Sequence, residues 1–129
     1  MNGIKTQSYG SQKVVWDHAI DILTGGVFID KTSVAKYTDG VIPAGTLISV
    51  KQPDGTHKAV TITDADGEGG NPATFDLDPL GLTHFDIPID DMPLAAVVLS
   101  GTLRVDALPD MERLNWKEIS KKLPRITGV

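Results

Sequence analysis

Residues 94–99 are apolar without interruption, and beyond Ser100 and Gly101 the chain alternates through Thr102, Leu103, Arg104, Val105 and Asp106. An uncharged run flanked by Pro93 and Gly101 predicts a strand covered on both faces, and the alternation after it predicts a half-buried strand, with a break between the two. The apolar run carries no acid, base or nucleophile, so the most hydrophobic segment of the chain serves architecture.

The rest of the pattern is broken into short pieces. Residues 47–51 and 57–63 read as two strands joined at Pro53-Asp54-Gly55, which supplies a fixed φ, a side-chain acceptor and a residue tolerant of φ > 0, and so predicts a hairpin. Short strands are expected at residues 26–30 and 33–37, pairing with each other. Residues 14–23 fit neither the helical nor the strand period, and Thr24-Gly25-Gly26 reads as a turn. Residues 64–72 are dense in Gly and Asp and predict an exposed loop. From 73 to 93, Pro79, Pro88 and Pro93 each remove a backbone donor, which predicts loop with short extended pieces near Phe75 and Phe85. Near the C-terminus, Asn115 as N-cap, Glu118 in the first turn, Ile119 and Leu123 on one face, Lys121 and Lys122 in the last turn and Pro124 as a stop predict a two-turn helix. Residues 123–129 are expected to add a final extended edge.

Composition turns these pieces into a fold class. With 129 residues, 5% aromatic content, 13 Gly and 8 Pro, the chain predicts one mainly β domain. The expected body is a small β-barrel or β-sandwich with a short C-terminal helix. Residues 1–24 are assigned to a flexible N-terminal arm, on the polar, Gly-containing composition of residues 1–13, and residues 25–129 to the β-rich domain. Trp16 and Trp116 flank that body and are expected to pack the arm and the helix onto it. There is no cysteine, so disulfides and thiolate metal sites are excluded. The net charge of −5 argues against a nucleic-acid partner. No apolar run reaches the length of a membrane span, and residues 1–8 lack signal-peptide order, so no membrane association and synthesis in the cytoplasm are expected.

Candidate chemistry is sparse. Asp64, Asp66 and Glu68 alternate in a Gly-rich loop, as calcium ligands do, but without the ninth- and twelfth-position ligands of the twelve-residue motif. A solvated acidic turn is the simpler expectation, and no cofactor is expected. His18, His57 and His84 fall on separate elements without metal-ligand spacing. Ser100 has Val98 where a nucleophile elbow needs Gly. The pairs Asp90-Asp91 and Asp76-x-Asp78 offer carboxylates without a defined substrate, so a hydrolase is the least favoured class and the chain is expected not to be an enzyme.

Three segments carry a resemblance to a known group. Ile42-Pro-Ala-Gly-Thr-Leu-Ile, then Ala95-Ala-Val-Val-Leu-Ser-Gly-Thr-Leu-Arg-Val, then Trp116-Lys-Glu-Ile-Ser-Lys-Lys-Leu-Pro-Arg-Ile resemble, in that order, the head-decoration and head-fibre proteins of tailed phages. The resemblance spans residues 25–129. It implies a small β body, a homotrimer seated on three-fold positions of a capsid, an arm that orders against the major capsid protein, and residence in the virion without any bond being made or broken. Under that resemblance, Val14, Val15, Trp16, Val97, Leu99, Leu103, Val105 and Trp116 are the candidate contacts with capsid or neighbouring subunits. The acidic loop at residues 64–71 departs from the family pattern. The alternative expectation is a carbohydrate- or cell-surface-binding β module that uses the loops of residues 64–91, with or without calcium.

Overall fold

The computed structural model describes residues 14–63 and 73–129. It is mainly β, with nine strands among the described residues and a short helical region near the C-terminus. The strands are β1 (Trp16–Phe28), β2 (Val41–Ile42), β3 (Leu47–Ser49), β4 (Ile62–Thr63), β5 (Thr74–Phe75), β6 (Pro79–Thr83), β7 (Ile87–Pro88), β8 (Leu94–Leu103) and β9 (Ile126–Gly128). Helices α1 (Asp110–Leu114) and α2 (Trp116–Lys122) lie between β8 and β9. The main sheet runs β1-β8-β6-β3, with β9 added to β8, and the pairs β2-β7 and β4-β5 form two small sheets. All pairings are antiparallel except β8-β9. Among the described residues the strands do not close into a barrel, and the body is sandwich-like.

Strand β8 is the hub because it has no charge to keep in water. One of its edges pairs with β1 from Leu94 to Leu103, and the other is shared between β6 at Val97 and Val98 and β9 at Gly101 to Leu103. The break expected at Ser100 and Gly101 is absent, since the strand continues to Leu103. At Gly101 a Cβ would collide with the His18 carbonyl of β1, so the glycine serves close backbone approach and not chain reversal. The alternating strand expected at 102–106 ends early, and Val105–Ala107 is a 3-10 turn.

Several other expectations are corrected. Residues 16–24, assigned to the N-terminal arm, form the first part of β1 and belong to the β body; residues 1–13 lie outside the described residues. Thr24-Gly25-Gly26 is a bulge and not a turn. Between the pairs Leu23↔Val97 and Val27↔Ala95, β1 holds two more residues than β8, and Gly26 at φ 81° lies against the Leu94 side chain. Because β1 contains several such irregularities, its side chains follow no clean period of two. The strand expected at 33–37 is a 3-10 turn at Lys31–Val34, because the Asp30 carboxylate accepts the Thr32 N–H (3.1 Å) and starts a helical turn that drops Val34 into the core. Residues 26–28 accordingly pair with β8. Strand β6 sits between β3 and β8 despite Pro79, which occupies its first position, where a missing donor costs little.

The hairpin is found: Gln52 N–H donates to Thr56 O (2.8 Å), Gly55 takes φ 87°, and Ile48 bridges Ala59. The Asp54 carboxylate accepts both the N–H and the hydroxyl of Thr56, and these bonds hold its carboxyl below the usual carboxylate range. Helix α2 is also found, with Ile119 and Leu123 buried. Asn115 does not cap it through its side chain. The preceding α1 claims that group, and Asn115 Nδ2 donates to Met111 O (2.8 Å). The last extended piece is β9.

Two apolar clusters fill the body. One gathers Val15, Leu47, Leu82, Leu103, Leu108, Ile119 and Leu123, and the other Val34, Ile42, Ile48, Ile87, Ala95 and Val97. Adjacent residues Leu47 and Ile48 enter different clusters, as alternation along β3 requires. Glu112 on α1 ties the helices to the sheet: it is 3% exposed and its Oε2 accepts the Leu47 N–H at 2.9 Å.

Candidate docking groove

The start of β1 overlies a loop that the body holds open. Loop 43–46 is fixed to the end of β6 by reciprocal bonds in which Gly45 N–H donates to Thr83 O (2.9 Å), Thr83 N–H to Thr46 O (3.0 Å) and Thr83 Oγ1 to Pro43 O (2.9 Å). Trp16 Nε1 donates to the same Thr83 carbonyl at 3.0 Å, which anchors the first residue of β1 to this loop. Gly45 at φ 86° is needed there, because a Cβ would lie 2.7 Å from Leu108 Cδ2. Ala44 N–H donates to Asp86 Oδ1 (2.8 Å), so the loop is also pinned from β7's side.

These bonds leave a hollow of about 400 Å³ walled by Val14, Trp16, Ala44, His84, Phe85 and Asp86. A second hollow of about 370 Å³ shares Val15, Ala44 and Asp86 with it and continues past Asp39, Leu108 and Asp110. Val14 is 70% exposed and Phe85 63% exposed, so two large apolar side chains stand on one rim. The His84 ring stacks on Phe85 at 3.9 Å between centroids, and burial pushes the His84 pKa down, which favours the neutral imidazole. With these groups the surface is suited to hold a side chain by contact and charge.

Along β1, the outer edge from Trp16 to Val27 pairs with no strand among the described residues. On this strand Ile20 is 66% exposed. Asp17 and Asp21 are held by Arg104 (2.7 Å) and Arg125 (2.9 Å), so the charges along the edge are tied back to the body.

The eight candidate contact residues divide. Val14 and Trp16 stand at the groove. Val15, Val97 and Leu103 are buried in the protein's own clusters and present no side chain to a partner, which corrects their assignment as contacts. The coverage expected on both faces of β8 is incomplete: Ala95 and Val97 are buried, whereas Leu94 is 49% exposed and Ala96 half-buried. Leu99 packs against the second cluster and is partly exposed. Val105 and Trp116 meet over Gly128, where a Cβ would collide with the indole, so Trp116 packs the helix onto β9 as expected. The alternating acids Asp64, Asp66 and Glu68 lie outside the described residues. Among the described residues no group of three or more His, Asp or Glu is placed to hold a metal. Asp76 accepts the Thr61 N–H from across the β4-β5 pair, and Asp90 accepts the Met92 N–H two residues on, so each carboxylate serves a structural contact.

Phe85, Asp86, Asp39 and Ala44 were not singled out by the pattern. Their one signal was an aromatic beside an acid within a proline-punctuated stretch, and what joins them is the long-range pairing of loop 43–46 with β6. Comparison with protein-family models, with curated proteins and with solved structures finds no match to this chain.

Proposed function

We propose that the chain is a non-enzymatic virion component that decorates a phage or prophage capsid, binding the major capsid protein as a homotrimer. The observation that carries this reading is the outer edge of β1, which among the described residues pairs with no strand from Trp16 to Val27, together with exposed Ile20 and Val14. An edge of this length recruits a strand or loop from a partner, and the register irregularities of β1 restrict it to partners of matching shape. Further support is the placement of the groove at the same end of β1, so edge and groove together form one surface. A specific clamp needs about 800 Å² from each partner, and three-fold repetition raises avidity without further contacts.

The test is retention on shells. Purified heads of the phage or prophage that encodes the chain, incubated with the protein and pelleted, are expected to carry it down, and the Ile20→Lys variant is expected to bind at least about tenfold more weakly while keeping its circular dichroism spectrum. Heads that leave the wild-type protein in the supernatant would overturn the proposal. Sedimentation equilibrium addresses the assembly state: the expected mass is three times the 13.8 kDa of the chain.

A further inference from the structure

We infer that the groove over Val15 takes an extended peptide segment of the partner in which a lysine or arginine stands beside an aliphatic residue. This deepens the docking function and rests on it for the existence of a protein partner. The floor is apolar, built from Val15, Pro43, Ala44 and Leu108, and suits an aliphatic side chain.

The rim is acidic and uncompensated. Asp39 and Asp86 are exposed, and among the described residues no cation lies within ion-pair distance of either. Each uses Oδ1 to accept a backbone N–H, Asp39 from nearby Val41 and Asp86 from Ala44 across the loop, which fixes the carboxylates in place. Asp110, on the same wall, already holds Arg113 at 3.0 Å. Beside Asp86 the exposed Phe85 ring, stacked on His84, whose pKa burial lowers, offers a face to a cation that would then reach the carboxylate. Fixed anions next to an aromatic face and an apolar floor select a cationic side chain flanked by a hydrophobic one. A second copy of this chain, at net charge −5, meets the rim with like charge overall, and a phosphate backbone is repelled by it.

The probe is a capped hexapeptide of alternating leucine and arginine, titrated into the full-length ¹⁵N-labelled protein. The expected result is saturable shifts of the Val14, Val15, Ala44, Phe85 and Asp86 amides, at least about tenfold weaker in the Asp39→Asn/Asp86→Asn double variant and weakened by salt. Both substitutions keep the acceptor oxygens, so the fold is retained; Phe85→Ala, which leaves the carboxylates alone, is expected to weaken binding as well. Equal binding of the peptide with glutamate in place of arginine, or shifts confined to other surfaces, would overturn the inference. So would concentration-dependent shifts of the same amides without peptide, which assign the groove to a second copy. Carbodiimide cross-links from Lys5 or Lys13 to Asp39 or Asp86 within the peptide-free monomer would also overturn it, by assigning the groove to the chain's own first residues. If heads retain the protein but the peptide does not bind the groove, this inference falls alone. If the peptide binds the groove and heads do not retain the protein, the capsid reading falls and the groove chemistry stands.

Discussion

Glu112 is a carboxyl in the interior with one strong bond, the Leu47 N–H, and that imbalance has a measurable sign. Burial raises its pKa above the ordinary 4.5, against the smaller lowering by the hydrogen bonds and by Lys36. Stability from the protonated form is therefore full below the unfolded value and is lost as pH rises through the folded one. Tyr37, pushed up to about 12 by burial and by Glu112, stays neutral throughout this range. The Glu112→Gln variant keeps an oxygen for Leu47 and cannot ionise. Thermal unfolding of the two proteins is expected to show the wild type losing ground to the variant as pH rises above the ordinary carboxylate range, and a difference independent of pH would contradict this account. Gly45 supplies a second residue-scale test. Gly45→Ala places a Cβ at positive φ and against Leu108, and is expected to lower stability by ~1–3 kcal/mol in urea unfolding.

Elements whose cause lies within a few residues were legible in the sequence. Pro53-Asp54-Gly55 fixes its own turn, and the spacing of Ile119 and Leu123 against Pro124 fixes the helix. Ile119→Ala is accordingly expected to cost ~2–5 kcal/mol in chemical denaturation, since it empties a fully buried site in the first cluster. Strand β1 was hidden because its bulges break the period of two, with Gly25 and Gly26 imitating a turn. Strand β6 was hidden by Pro79, whose penalty vanishes at a strand's first position. The turn at Lys31–Val34 was misread because Val34 and Tyr37 favour strands by propensity, whereas the Asp30 side chain decides the local geometry. Of the candidate site, Val14 and Trp16 were legible, and Phe85 and Asp86 were not, because the groove exists only once loop 43–46 is bonded to β6. The assignment of Val97 and Leu103 to a partner fails for a related reason: both side chains enter the domain's own apolar clusters.

For the whole molecule, β3 and β8 each contribute side chains to both apolar clusters, and β1 ends the main sheet with an outer edge that pairs with no strand among the described residues. Covering that edge by a protein partner is the central claim, and amide hydrogen exchange tests it most directly. Exchange of the full-length protein, free and bound to purified heads, is predicted to slow for amides of β1 between Trp16 and Val27 that β8 leaves unbonded, while the amides of Val97, Val98 and Gly101 to Leu103, in the parts of β8 flanked by strands on both edges, remain unchanged. Head-bound protein whose β1 amides exchange as fast as in the free protein would contradict the account.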